Sequence, residues 1–425
     1  MPTRSPSLLA LTLLLAATAY ADNWPHWRGP DRTGVAPEGD AAPLRWSRDE
    51  NVVWKLALPE LSGSTPIVWE DRVFLSVADG DQLALWAVDR SSGTVLWQRG
   101  AGGGNETKRK GNMSSPSPVT DGSGVWIVTG TGVIKGFDLD GRELWERNLQ
   151  TDYGEFGILH GYSSSPLLHE DSLYVQVLHG FHTDDPSYVL RIDKATGATR
   201  WRVERPTDAP REAPDAYTTP ALLERDGGVE IVVSGGDYVT GHDPASGTEL
   251  WRLGGLNPSA NPMQRIVASP VISGAMIYVP SRVNPLLALR AAGPRGSAPE
   301  VAWSTAKGPD VPTPVVAGIY LFVLSDNGVL WCLEADSGDV VWGPERVQSA
   351  SYSASPVAAG GRLYVTNEAG LTTVLEAGPQ FRVLAESGVD EFTLSSLAVA
   401  DGQIFLRTAD HLYCIEERGA AAGGA

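Results

Sequence analysis

The chain has 425 residues, a formal charge of −18, 20 % charged and 42 % hydrophobic residues, and two cysteines. An acidic balance of this size argues against nucleic acid or anionic lipid as the main partner, and with no CxxC pair there is no zinc or dithiol motif. The length exceeds an ordinary single domain, which repeat folds accommodate because each unit packs on its neighbours.

Residues 1–21 read as a secretory leader: Arg4, an apolar run over 8–17, then Ala19-Tyr20-Ala21 as a small-x-small cleavage site. The run is too short to span a bilayer, and no cysteine follows the cleavage site to carry a lipid anchor. The expected product is periplasmic or extracellular, with no membrane span, and monomeric. Residues 22–50, with Trp24, Trp27 and Arg28, are expected to form a strap packed against the outside of the body that follows.

From residue 51 to 417 two landmarks recur. The first is a Ser/Thr-Pro pair opening an apolar run, at Thr65, Ser117, Ser165, Thr219, Ser269, Thr313 and Ser355, with a decayed copy at Ser396. Their spacing averages about 47 residues, a repeat-array period. The second is an acidic turn with Gly followed by Trp, as in DRSSGTVLW ending at Trp97. In the first unit, short β-branched or aromatic runs over 66–69, 72–77, 83–89 and 94–99 are separated by turn residues. Four strands per unit predict an all-β propeller of eight four-stranded antiparallel blades.

The eighth unit supplies three strands before the Gly/Ala tail at 418–425. Its missing strand stands at the other end of the chain, NVVWKLALP with Trp54, so the N-terminal strand is expected to complete the last blade and close the ring. Trp54, Trp97, Trp145, Trp201, Trp251, Trp303 and Trp342 then occupy one docking slot per blade, with Phe381 in the remaining one. Trp suits that slot because it offers a large apolar face and one N–H donor. The acidic turns bond their own backbone, and Gly supplies the positive φ. Cys332 and Cys414 hold equivalent repeat positions and are expected to be buried thiols.

The pattern from Ala87 to Trp97 resembles the tryptophan-docking repeat of PQQ-type eight-bladed propellers. The opening NWPHWRGPDRTG, residues 23–34, resembles the start of secreted PQQ-binding-like β-propeller repeat proteins. The resemblance implies the fold over almost the whole chain, and two kinds of function. One is a PQQ-dependent dehydrogenase, which would need PQQ, calcium and a carboxylate base. The other is a non-catalytic scaffold of the BamB-like kind, which assists outer-membrane assembly. Many alcohol-oxidising relatives carry an adjacent cysteine pair that this chain lacks, and no residue here is matched to their calcium ligands or catalytic Asp. The expected function is therefore a non-catalytic scaffold in the cell envelope that binds a protein, a peptide or a glycan.

Its binding face follows from propeller geometry. The long segments 98–113, 146–163, 202–217 and 252–267 fall on the face that carries the blade-to-blade connections, while the opposite face has tight turns. On that face His160 and Tyr162 are expected to look toward His179, His182, Asp184 and Asp185, a set able to hold a divalent metal or a polar ligand. Lys108, Arg109 and Lys110 form a basic run suited to a carboxylate or phosphate. Tyr153, Phe156 and Phe181 are candidates for stacking on a sugar.

Overall fold

A computed structural model describes residues 22–39, 41–282 and 284–417. The predicted leader at 1–21 and tail at 418–425 lie outside the described residues. Among these residues eight four-stranded antiparallel sheets follow one another, with one short helix, Leu149–Tyr153. Seven blades are built from consecutive strands. The eighth places Val52–Ala57 beside His411–Glu416, with Trp54 opposite Cys414, so the N-terminal strand does close the ring. The chain is an eight-bladed β-propeller.

Burial falls from the axis outward. The second strand of blade 1, Arg72–Asp79, is buried at six consecutive positions because neighbouring blades cover both its faces. In the outermost strand of blade 2, Glu143–Asn148, only Trp145 is fully buried. That Trp follows an extra residue of the outermost strand, Leu144, which has no partner between Gly136 and Phe137 of the third strand, and the same irregularity recurs beside Trp97, Trp201, Trp251, Trp303 and Trp342. The indoles of Trp54, Trp97, Trp201, Trp303 and Trp342 tilt against an aromatic ring of their own blade, as Trp97 does on Phe74 at 5.8 Å and Trp303 on Tyr278 at 6.0 Å. The indole N–H crosses to a turn carbonyl of the next blade: Trp97 to Leu139 at 2.9 Å, Trp145 to Lys194 at 2.8 Å, Trp201 to Pro244 at 2.9 Å. The turn glycine meets the same ring. A Cβ on Gly141 would lie 2.7 Å from the Trp97 ring, and its φ is +80°, so Gly is required there twice over.

Two junctions depart from this rule. Trp251 donates to Glu230 of its own blade at 2.5 Å, because the blade-5 turn at 290–299 has lost the repeat sequence. Glu230 is fully buried and also accepts from the Gly296 N–H at 2.6 Å and from Arg225 at 3.2 Å. In blade 7, Phe381 does not take the docking slot. Ala385 stands in that register, opposite Val374, and Phe381 packs edge-on against Trp342 at 5.3 Å. The missing indole is Trp46 of the strap, stacked 6.4 Å from Tyr364 with the planes 23° apart. Ala42 completes the substitution by accepting the Tyr364 hydroxyl at 2.9 Å, much as Ala335 accepts that of Tyr278.

The strap also departs from its expected place. Instead of lying outside the ring, residues 23–36 cross its centre. Trp24 exchanges two 2.9 Å backbone bonds with Val68 of blade 1. The Arg32 guanidinium reaches the Leu168 carbonyl of blade 3, and Val35 bridges Ala358 of blade 7. Arg28 is buried among carbonyls, donating to Pro356 at 2.6 Å and Pro314 at 2.9 Å. The innermost strands present unpaired carbonyls toward the axis, and a guanidinium offers five donors to satisfy them. Burial lowers the Arg28 pKa to about 9, so it remains a cation at neutral pH.

Candidate functional site: a basin on the propeller axis

The Ser/Thr-Pro landmark forms a belt around the axis. Each Ser or Thr side-chain oxygen accepts the backbone N–H of its counterpart one blade earlier: Thr65 to Ser117, Ser117 to Ser165, Thr219 to Ser269, Ser269 to Thr313 and Thr313 to Ser355, all at 2.9 Å. Ser165 to Thr219 spans 3.2 Å and Ser355 to Ser396 spans 3.0 Å. At the seam between blades 8 and 1 the link is instead the Ser395 hydroxyl to the Ser64 carbonyl, at 3.0 Å. Except at Ser396, which precedes Leu397, Pro after each Ser or Thr starts the innermost strand with its φ already fixed. The belt hydroxyl hydrogens have no protein acceptor among the described residues, and all eight positions line one cavity.

That cavity is a basin of about 380 Å³ opening on the long-loop face. Trp27 of the strap forms its floor. The Arg28 guanidinium lies 5.6 Å from the Trp27 ring, and a void of about 20 Å³ lies beneath. The wall and the layer behind it, where Glu212 is buried, carry an alternating charge chain. Glu212 lies 3.6 Å from His160 and 3.5 Å from Arg265; Asp310 lies 3.4 Å from Arg265 and 3.5 Å from Arg282. Asp326 accepts the N–H groups of Asp310 and Val311 at 3.2 and 2.9 Å, and burial raises its pKa. Burial, with help from Arg265, lowers the His160 pKa and so favours the neutral ring.

The loops behind this wall are tied together by Asp215. Its carboxylate accepts the N–H groups of Leu159 at 2.8 Å, Gly180 at 3.0 Å and Phe181 at 3.2 Å. Burial nevertheless pushes its pKa up to about 6. Three connections thus share one buried carboxyl.

The six residues singled out for metal or ligand binding do not come together. His160 and Tyr162 line the basin, but the Tyr162 ring is buried against Phe156 at 4.7 Å and its hydroxyl donates to Gln176 O. His179 turns inward, its Nδ1 accepting the Gly157 N–H at 3.0 Å, so it braces the loop. His182, Asp184 and Asp185 are exposed on the blade-3 loop, away from the basin, with the His182 ring edge-on to Phe181 at 4.6 Å. No group of three or more His, Cys, Asp or Glu is placed to share a metal among the described residues. Tyr153 packs on Tyr188 at 5.6 Å and does not reach the basin. Cys332 and Cys414 are buried, with burial pushing both thiols up to about 12.

In the basic run, Lys108 pairs with Glu106 and Lys110 with Glu368, both at 2.6 Å. Arg109 is exposed at the basin and makes no hydrogen bond or ion pair among the described residues. Arg265, Arg282, Asp310 and Asp326 escaped the sequence reading, and Trp27 was placed with the strap outside the ring. Arg265 lies in a flagged long connection, but Arg282, Asp310 and Asp326 sit outside the flagged segments. The HWRG stretch that holds Trp27 matches no repeat unit, which was the available signal.

The sequence profile of the outer membrane protein assembly factor BamB matches residues 44–180, 158–344 and 297–378, which together run through most of the chain. The chain belongs to that family. No curated protein sequence matches it. Among solved structures, BamB from Moraxella catarrhalis is 14 % identical with a TM-score of 0.61, covering 86 % of this chain and 99 % of that one. Quinohemoprotein alcohol dehydrogenase from Comamonas testosteroni is 12 % identical with a TM-score of 0.65, covering 96 % and 83 %. The computationally designed Ika8 protein is 13 % identical with a TM-score of 0.58, covering 86 % and 100 %. At these identities the likenesses speak for the fold alone.

A PQQ-dependent dehydrogenase, one of the two functions that the sequence resemblance implies, would hold its quinone against calcium. The basin's donors do not fit that ion. Asp310 holds two guanidinium groups on Oδ2, which leaves a single unpartnered oxygen, Asp326 is engaged by two backbone N–H groups, and no further carboxylate lines the basin among the described residues. No catalytic step through the group follows from these residues.

Proposed function

We propose that the chain is a non-catalytic binding scaffold of the cell envelope, exported by its leader, with its ligand or partner on the long-loop face. The observation that carries this reading is how the basin's charges are used. Arg265 and Arg282 of its wall are held by Glu212 and Asp310, while Arg109, the floor of Trp27 and the hydroxyl belt are available to a guest. Membership of an outer-membrane assembly family supports an envelope setting. No described helix is long and apolar enough to cross a membrane.

A photo-cross-linker at position 109 is expected to trap envelope material in cells. The same group at Ile319, exposed on the opposite face, is expected not to. Equal trapping at both positions overturns the assignment of the face. Titration with PQQ and calcium is expected to give no stoichiometric quinone spectrum and no dye reduction, and the appearance of both would establish the dehydrogenase instead.

A further inference from the structure

We propose that the basin receives the uronic-acid end of a glycan, one carboxylated pyranose seated on Trp27 with its carboxylate on Arg109. This rests on the scaffold reading above and names the ligand class of its site.

Three features at three depths point to that chemistry. At the floor, Trp27 is half-exposed and presents an indole to the basin, the kind of surface on which the C–H face of a pyranose packs. Above it, belt hydroxyls such as Ser165, Thr219 and Ser269 already accept a backbone N–H and retain a hydrogen to donate. Opposite in character is Asp310, a lining residue whose Oδ1 is buried without a hydrogen-bond partner while Oδ2 faces the two arginines. Groups that wait to donate and to accept, on residues that line one basin, match the hydroxyls of a sugar, which do both. At the rim, Arg109 is an unpaired guanidinium, and its fork suits a carboxylate.

Simpler guests use less of this. A small dicarboxylate would satisfy Arg109 but meet Asp310 and Asp326 as like charges. A neutral sugar would leave Arg109 idle. A strongly acidic polypeptide would have to approach a chain carrying a net charge of −18. The volume, about 380 Å³, lies near the lower end of ordinary small-molecule sites. Because Trp27 and the buried Arg28 close the floor, a polymer cannot thread through, so the guest is a chain end.

The test is calorimetric titration of the intact protein with D-glucuronate, D-glucose, succinate and an acidic peptide. Glucuronate is expected to bind in about the millimolar range or tighter, and each of the others at least about tenfold more weakly. Arg109→Ala, on an exposed loop, is expected to weaken glucuronate about tenfold and leave glucose unchanged. Trp27→Phe is expected to weaken both sugars with the fold retained by circular dichroism. Equal affinity for glucose and glucuronate, stronger binding of succinate or the peptide, or no glucuronate binding overturns the proposal. If glucuronate fails while position 109 still cross-links envelope material, the sugar assignment falls and the scaffold reading stands. If neither occurs, both fall.

Discussion

The junction between blades 1 and 2 and the basin at the axis use the same residue types, yet their polar atoms are in opposite states. At the junction the Trp97 N–H is bonded to Leu139 O, Arg99 donates to Gly141 O at 2.6 Å, and its guanidinium lies 5.7 Å from the Trp97 ring centre. In the basin, among the described residues, Arg109 has no partner, the belt hydroxyls have hydrogens to give, and Asp310 holds an unanswered oxygen. The repeated sentence builds closed, satisfied contacts, and the places that break it leave groups for something else to satisfy. Substitutions at the two regions should therefore separate stability from binding.

The largest expected effect is at the docking slot. Trp97→Ala and Trp46→Ala should each lower unfolding stability by about 3–5 kcal/mol in denaturant titration, the range for emptying a large aromatic site. Phe381→Ala, at a partly exposed residue outside the slot, should cost clearly less than Trp46→Ala. A reversal of that order would return the slot to Phe381. Next is the belt. Ser165→Ala deprives the buried Ser117 N–H of its acceptor and should cost about 1–2 kcal/mol.

A pH series sharpens the contrast at Asp215. Burial raises its folded pKa to about 6, above the ordinary carboxyl value of 3.8, so the protonated form is favoured on folding. That contribution is full below the unfolded pKa and is lost as pH rises through about 6. Relative to Asp215→Asn, the wild type should therefore gain about 1 kcal/mol between roughly pH 7 and pH 5, read from thermal midpoints. A difference that does not change with pH removes the carboxyl from this role. The smallest effect on stability belongs to Arg109→Ala, within about 0.5 kcal/mol, while sugar binding falls.

Blade number, strand count and ring closure were legible because they repeat, and the Trp54 strand could be placed by what blade 8 lacked. The docking slot of blade 7 was not legible by spacing. A bulge sets its register, Ala385 carries no aromatic signal, and the replacement, Trp46, arrives from more than 300 residues away in sequence. The strap misled for a related reason. Arg28 reads as a surface cation until the carbonyls of Pro314 and Pro356 stand around it. The histidine set failed because closeness in sequence does not set facing: His179 spends its Nδ1 on the Gly157 N–H. The basin was half visible, through the long loops and the basic run, but the floor residue was assigned to the wrong side of the ring.

The strand at Val52–Ala57 has a consequence for the order of events in folding. Its partner, His411–Glu416, is made more than 350 residues later, and the plug around Arg28 needs carbonyls of blades 6 and 7. The earliest described residues are thus among the last to find their places, and contacts of such long sequence separation slow folding. During that wait an unpaired strand edge and two indoles, Trp24 and Trp46, stand open to any passing chain, a vulnerability that chaperoned folding would relieve.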